Sequence, residues 1–552
     1  MDTALRLIIV GGVAGGATAA ARARRLSESA EIIVFERGPY VSFANCGLPY
    51  YVGREIEERD SLLLETPESL HARYRIDVRA RTEVLAIEPA EHLVRARDLE
   101  TGREYTERYD RLILAPGAAP IRPPLPGIEH PRIFSVRTVP DIDEIKAAVD
   151  GGAGRAVVVG GGFIGLEMTE NLRHRGLDVT LVELLDQVMP PFDKEMVTPA
   201  HEELRSHGVD LHLSDAVARF EDEQGGVTAV LESGTRIPAD LVVLCIGVRP
   251  ETKLAAEAGL ELGPRGGIQV DDGMCTSDAD IYAVGDAVEV RDSVMGGPTL
   301  IPLAGPANRQ GRIAADRVFG RDSRYIGTQG TSIVRVFGLT LALTGASEKT
   351  LVRVGQAYEK VYIHPFHHAG YYPGAERLAL KLLFGPADGK VLGAQVVGQE
   401  GVDKRIDVLA TAIRAGMTVY DLEELELAYA PPFGSAKDPI NMAGFVAANL
   451  LKGDVEIIHA DGLEQTQGEL IDVRKPDEHS EGAIPGSRNV PVDDVRDRLG
   501  ELPVEKPLVV YCQIGLRGYV AARILMQHGY SVRNLSGGFN TYRGYFAEAK
   551  KS

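Results

Sequence analysis

An apolar strand running into a glycine-rich turn and a helix occurs twice in this 552-residue chain, each time followed by a second apolar strand ending in an acid. The first copy reads Leu7-Ile8-Ile9-Val10, then Gly11-Gly12-Val13-Ala14-Gly15-Gly16, a helix over 17–26, and Glu31-Ile32-Ile33-Val34-Phe35-Glu36. The second reads Ala156-Val157-Val158-Val159, then Gly160-Gly161-Gly162-Phe163-Ile164-Gly165, a helix to about Arg175, and Val179-Thr180-Leu181-Val182-Glu183. Continuous β-branched runs fit strands buried on both faces, and hence parallel sheets covered by helices. A helix that starts after a glycine turn offers free N–H groups and a positive dipole end to a pyrophosphate. The acid that ends the second strand can accept hydrogen bonds from a ribose. Candidate cofactor contacts are therefore Gly11, Gly15, Gly16 and Glu36 in the first copy, and Gly160, Gly162, Ile164, Gly165 and Glu183 in the second. Val13 stands where the full fingerprint has its second glycine.

Composition removes several classes. The formal net charge is −19, which leaves no basic excess for a phosphate backbone, so no nucleic-acid partner is expected. No run reaches the roughly 18 apolar residues of a membrane span. The apolar start runs straight into Gly11 and Gly12, with no basic stretch or cleavage site, and reads as a strand rather than a secretion signal. Four cysteines without a CxxC pattern make neither a disulfide framework nor a zinc site, and predict a cytoplasmic location with reduced thiols. His364, His367 and His368 lack supporting carboxylate or cysteine spacing, so no metal is expected.

Three further segments extend the pattern: Asp280-Ile281-Tyr282-Ala283-Val284-Gly285-Asp286, Leu112-Ile113-Leu114-Ala115-Pro116-Gly117 and Leu244-Cys245-Ile246-Gly247. With the two glycine turns they resemble the two-dinucleotide flavoprotein disulfide reductases over about residues 5–445. The resemblance implies FAD in the first site, with Asp286 on the ribityl chain and Arg37, Ala115, Gly117 and Ala304 as further contacts. It implies NAD(P)H in the second site, with Gly247 beside it. A carboxylate at Glu183 repels a 2′-phosphate, and no arginine occurs in Leu184-Leu185-Asp186, so NADH is favoured.

Ser42-Phe43-Ala44-Asn45-Cys46-Gly47-Leu48-Pro49-Tyr50-Tyr51 follows the first copy. Proline is favoured in the first helical turn, so Cys46 is expected at a helix N-terminus, where a thiolate is stabilised. Many members of the superfamily use a C-x4-C pair, but position 41 is Val41, so Cys46 works alone and must bond to an external sulfur or oxygen. The segment resembles the single-cysteine branch: coenzyme A-disulfide reductases, NADH peroxidases and NADH oxidases. The peroxidases and oxidases carry an acid/base histidine at the place of Ala14, which transfers no proton.

His368-Ala369-Gly370-Tyr371-Tyr372-Pro373-Gly374 and Tyr429-Ala430-Pro431-Pro432-Phe433 resemble the coenzyme A-disulfide reductases in particular. That resemblance implies a homodimer in which Tyr371 and Tyr429 reach the cysteine of the partner subunit. It also implies a coenzyme A channel lined by Arg22, Arg25, Ser42, Asn45, Asn308 and Lys437. Tyr74 stands where some members have a lysine against the nucleotide phosphates, with Arg73 and Arg75 as neighbouring substitutes.

The last ninety or so residues form another α/β unit. Val510-Tyr511-Cys512-Gln513-Ile514-Gly515-Leu516-Arg517-Gly518 reads as a strand, a loop and a helix, and successive loop N–H groups can converge on the sulfur. With Leu470-Ile471-Asp472-Val473-Arg474 and Gly482-Ala483-Ile484-Pro485-Gly486-Ser487, this resembles a single rhodanese domain. Cys512 matches the persulfide-carrying cysteine, and Arg517 adds a positive charge.

The expected fold class is α/β: two Rossmann-like dinucleotide-binding domains, an α+β dimerisation domain and a C-terminal rhodanese domain. The expected bounds are 1–118 with 248–322 for FAD, 119–247 for NAD, 323–446 for dimerisation, a linker over 447–464, and 465–552 for rhodanese. The expected activity is FAD-dependent, NADH-consuming reduction of persulfides, polysulfides or coenzyme A disulfide through Cys46, coupled to sulfur transfer through Cys512. Coenzyme A enters as substrate or bound carrier. The alternatives are an NADH oxidase or peroxidase with a rhodanese appendage, and a flavoprotein redox sensor.

Overall fold

Each glycine turn leaves the middle strand of a five-stranded parallel sheet, at the point where strand order reverses. The computed structural model describes residues 4–223 and 225–546, and these divide into two compact units, 4–186 with 208–330 and 187–207 with 331–546. In the first unit one sheet runs Ile281–Ala283, Arg111–Leu114, Arg6–Val10, Glu31–Phe35, Asp77–Arg79, with Ile8 opposite both Ile33 and Leu112. The other runs Asp210–Leu213, Asp178–Glu183, Arg155–Val159, Leu241–Leu244, Ile133–Ser135. Open parallel sheets bind ligands at this switch point, outside the carboxyl ends of the strands. The sequence reason is local. Gly11 has φ +99° and Gly160 φ +104°, and a Cβ there would lie 2.0 Å from the Ala115 carbonyl oxygen or 2.4 Å from that of Cys245. Only glycine lets each turn pass so close to the neighbouring strand's end.

Each nucleotide half also carries a three-stranded antiparallel excursion before its last core strands: Thr82–Glu88, Leu93–Asp98, Glu104–Arg108 in one, Val217–Glu223, Gly226–Leu231, Arg236–Ala239 in the other. The two crossings between the halves pair antiparallel with each other, Val248–Pro250 against Ala118–Pro120.

In the second unit an antiparallel sheet runs Ser332–Val336, Leu339–Gly345, Val391–Gly398, Leu378–Phe384, Glu359–Ile363. A parallel sheet follows, in the order Glu456–Ile458, Val532–Leu535, Leu508–Tyr511, Glu469–Asp472, Arg488–Asn489. Residues 447–464, expected as a linker, thus contribute the edge strand Glu456–Ile458, an apolar pair too short to show a period. The helix Lys194–Ser206, expected within the NAD domain, groups with the second unit.

The reason for that regrouping is a buried charge cluster. Lys381 is fully buried, and its Nζ lies 2.8 Å from Asp193, 2.6 Å from Glu195 and 2.5 Å from Glu348. Three carboxylates this close could hold a metal, and here the ammonium is their cation. Lys360 bridges Glu348 to Asp461 at 2.7 and 3.0 Å. Burial opposes the Lys381 charge, but Glu195, Asp193 and Glu348 outweigh it and hold the ammonium above its usual range. Burial likewise opposes the Glu348 carboxylate, yet Lys381, Lys360 and Tyr358 pull it to about 2. A depressed carboxyl lends stability above its unfolded pKa, so this share is present at neutral pH and lost as pH falls toward about 2. Lys381→Met leaves three carboxylates without their cation, and is expected to lower unfolding stability by about 3–5 kcal/mol in urea titrations. An unchanged midpoint would show that the cluster does not hold this unit together.

The cluster also anchors the C-terminal α/β layer. Glu195 accepts from Tyr362 at 2.7 Å, and Tyr362 meets Tyr545 of the helix Gly538–Phe546 at 3.0 Å. Tyr362 N–H donates to Ser536 Oγ at 3.2 Å, and His364 Nε2 lies 2.9 Å from Thr541 Oγ1. Among the described residues no helix is long and apolar enough to cross a membrane.

Candidate active sites

The two strand-end acids act alike. Glu36 accepts the N–H groups of Gly12 and Gly38 at 2.9 and 2.7 Å, and Glu183 accepts those of Gly161 and Leu185 at 2.7 and 2.9 Å. Each fixes its glycine turn while keeping lone pairs for a ribose hydroxyl. Asp286 follows the strand Ile281–Ala283 in a 3-10 turn, and burial alone pushes its carboxyl up. A half-buried carboxylate with no paired cation among the described residues suits a hydroxyl donor. Gly15 packs so closely on the helix Ala304–Val318 that a Cβ on Gly311 would meet its carbonyl at 2.2 Å. Gly117 and Gly162 face open space. Each cradle offers glycine-turn N–H groups and a strand-end carboxylate, a donor set that fits the pyrophosphate and ribose of a dinucleotide.

Cys46 is solvent-accessible and sits in the turn Asn45–Gly47, ahead of the five-residue helix Leu48–Val52. Asn45 Oδ1 accepts the Cys46 N–H at 3.1 Å. The expectation of a stabilised thiolate is reversed: burial of the sulfur's surroundings, then the carboxylates of Glu167 and Asp286, push the thiol up. A helix of five residues has too small a dipole to offset two carboxylates.

Glu167 escaped the sequence reading, because it lies on the helix Phe163–His174 outside any motif. Burial raises its carboxyl to about 7, against a 3.3 Å hydrogen bond from Tyr50 and with help from Glu170. Such a group costs stability as pH rises from its unfolded value of about 4.5 to about 7, because the folded state holds the proton longer. A carboxyl raised by burial beside an accessible thiol makes Glu167 a candidate proton donor. Gly53 makes the approach of the two helices feasible, since a Cβ there would lie 1.8 Å from Asn171 Oδ1.

The remaining candidates divide. Ser42 takes φ +49° beside the first turn, and Asn308 Oδ1 accepts from Thr18 at 2.5 Å. Arg25 and Lys437 are exposed. Arg22 is spoken for by Asp316 at 2.7 Å, and Arg37 by Glu251 at 2.7 Å, so neither presents an unpaired charge. Arg73 pairs with Glu65 at 3.0 Å. In the second unit the hydroxyls of Tyr371 and Tyr429 meet at 3.1 Å, and both rings are exposed, Tyr371 by 77%. Cys245 is pushed by burial to about 12 and fits a core thiol, while Cys275 is also raised.

Cys512 is buried at the end of the strand Leu508–Tyr511, and Gly515, at φ +98°, donates its N–H to the sulfur at 3.2 Å. The helix Leu516–Gln527 begins at that point. Arg517 was expected to add a positive charge, and it lies within reach of the Cys512 sulfur. Both its terminal nitrogens are also held by Glu478, at 2.6 and 2.7 Å, a partner 39 residues away in sequence and invisible to pattern reading.

Family models match these parts in order: a pyridine nucleotide-disulphide oxidoreductase over 5–311, the dimerisation domain of that family over 331–438, and a rhodanese-like domain over 458–544. The coenzyme A disulfide reductase of Staphylococcus haemolyticus is 36% identical over 447 residues, covering 81% of this chain and 100% of its own. Reduced Bacillus anthracis CoADR-RHD superposes with a TM-score of 0.97 at 51% identity, over 99% of both chains. An NAD-dependent persulfide reductase from A. fulgidus gives 0.92 at 37% identity, over 98% of this chain and 100% of that one.

Proposed function

The chain belongs to the pyridine nucleotide-disulphide oxidoreductase family, and from that premise we propose that it uses NADH to reduce persulfides or coenzyme A disulfide at Cys46, and transfers sulfur at Cys512. The observation that carries this reading is one accessible thiol, without a C-x4-C partner, in the unit that holds both dinucleotide cradles. FAD, when bound, supplies the two-electron relay between the nicotinamide and a sulfur bonded to Cys46. Cys46 attacks the sulfur–sulfur bond of the substrate, keeps one sulfur and releases the other as a thiol or sulfide. Glu167 holds a proton near neutrality beside this step. Tyr371 and Tyr429 of one protomer supply a hydrogen bond or proton to Cys46 of the other in a homodimer. Arg25, Ser42, Asn45, Asn308 and Lys437 line the coenzyme A path. Glu183 accepts the ribose hydroxyl of NADH and repels a 2′-phosphate. The relatives named for coenzyme A disulfide and for persulfide support the substrate class.

The test is steady-state NADH oxidation with coenzyme A disulfide, coenzyme A persulfide, their glutathione counterparts, polysulfide, peroxide and oxygen, repeated with NADPH. Coenzyme A forms are expected to exceed the glutathione forms, and NADH to exceed NADPH, each by at least about tenfold in kcat/KM. Faster turnover with peroxide or oxygen would replace this reading with the oxidase one, against which Ala14 stands. An NADPH preference would remove the role of Glu183.

A further inference from the structure

Among the described residues, the two guanidinium groups bonded into the Cys512 loop, Arg474 and Arg517, are each paired with a carboxylate. Arg474 is bound to the fully buried Asp472 through Nε and Nη2, at 2.7 to 3.1 Å, and passes one bond on to Gln513 Oε1 at 2.9 Å. Gln513 is held at its other end by Asn540 Oδ1 at 2.5 Å, so its amide serves the loop's shape. His479 also faces Asp472, at 2.9 Å. Arg517, the second guanidinium, interacts with the Cys512 sulfur, yet both its terminal nitrogens rest on Glu478. The Arg517 hydrogen bond pulls the Glu478 carboxyl to about 2, so the pair stays ionised across the working pH range. Beyond it, Leu516 and Val520 lie one turn apart on the helix Leu516–Gln527, exposed by 57% and 41%.

We propose that Glu478 sets the sulfur-donor preference of the Cys512 site: by occupying Arg517 it removes the charge that a compact dianion would need, so the site takes sulfur from a thiol persulfide rather than from thiosulfate. The inference rests on the sulfur-transfer reading above and deepens it. With a persulfide, the Cys512 thiolate attacks the terminal sulfur of R–S–SH, the old S–S bond breaks, and Cys512–S–SH and RS⁻ result. With thiosulfate the same attack yields the Cys512 persulfide anion and sulfite. The persulfide is attacked in its protonated form R–S–SH, which adds no charge to the thiolate, whereas thiosulfate always brings two further negative charges, which a neutralised loop does not offset. The apolar pair at Leu516 and Val520 suits an uncharged arm. Glu478 is a positioning residue here, because it acts through Arg517.

The experiment measures sulfur transfer to cyanide by the full-length protein, with thiosulfate and with pantetheine persulfide, in wild type, Glu478→Gln and Cys512→Ser. Glu478→Gln is expected to raise the thiosulfate-to-persulfide ratio of kcat/KM by about tenfold or more, and to make thiosulfate turnover fall as salt increases. An unchanged ratio, or a parallel loss of both activities with FAD still bound, overturns the proposal and leaves Glu478 as a loop brace. Cys512→Ser separates the two levels. If it keeps sulfur transfer, the reading of Cys512 itself fails; if it loses transfer and the Glu478→Gln ratio is flat, only the specificity proposal fails.

Discussion

Cys46→Ser is expected to abolish NADH-dependent reduction of coenzyme A disulfide and of persulfides, by at least about 10³-fold, while FAD stays bound and NADH still reduces an artificial acceptor dye. A serine hydroxyl forms no mixed sulfur bond, so no intermediate can be held for reduction. The fold around it should survive, because the turn Asn45–Gly47 is fixed by backbone bonds and by the packing of Leu48–Val52, not by the exposed thiol. The burial, Glu167 and Asp286 that push the thiol up add a second readout. Alkylation of Cys46 in protein stripped of FAD should be slower than that of a free thiol at neutral pH, and should gain speed as pH rises. Substantial persulfide reduction by the serine variant would move the chemistry to another residue.

How far the sequence reaches depends on the range of the cause. Gly11 and Gly160 were legible because a single local demand, a positive φ against the next strand's carbonyl, admits one residue type. Their sheets followed, since runs such as Leu7-Ile8-Ile9-Val10 suit a strand buried on both faces. The turn before a helix at Cys46 and the strand–loop–helix at Cys512 were legible because each is a contiguous segment with its own turn chemistry. Pairings across long separations were not. Nothing near Glu478 announces Arg517, and nothing in the helix Lys194–Ser206 announces Lys381, 186 residues beyond Glu195. The partners of Arg22 and Arg37, Asp316 and Glu251, were equally out of reach of a local reading. Behind burial, the Glu167 share of the reversed shift at Cys46 has the same origin, since Glu167 comes from the other nucleotide half. Local motifs fix where a reactive atom lies, while distant partners fix its charge state.

Cys512→Ser is expected to abolish sulfur transfer from polysulfide or from a thiol persulfide, and to leave NADH-dependent reduction of a small, pre-formed persulfide nearly at the wild-type rate. The loss is total because serine cannot carry a sulfane sulfur. The sparing follows from the distribution of groups: Cys46, Glu167 and both dinucleotide cradles belong to the first unit, and Cys512 to the second. Structure should be spared too. The loop is held by the N–H of Phe539 on the Cys512 carbonyl at 2.8 Å and of Asn540 on that of Gln513 at 3.0 Å, bonds that serine keeps. The helix carrying Phe539 and Asn540 is in turn fastened through Thr541 and Tyr545 to His364 and Tyr362. Joining the two chemistries in one chain raises the effective concentration of a carrier released by one site at the other. On the proposed function, Cys512 would take sulfur from a donor too large or insoluble for the reductase site, and a coenzyme A thiol would collect it and bring it to Cys46. Polysulfide reduction by wild type should therefore accelerate on adding coenzyme A, the Cys512→Ser variant should lose that acceleration, and Cys46→Ser should keep sulfur transfer while losing reduction. If Cys512→Ser depresses reduction of the small persulfide as severely as Cys46→Ser does, every sulfur passes through Cys512 first, and the division of labour between the two cysteines is wrong.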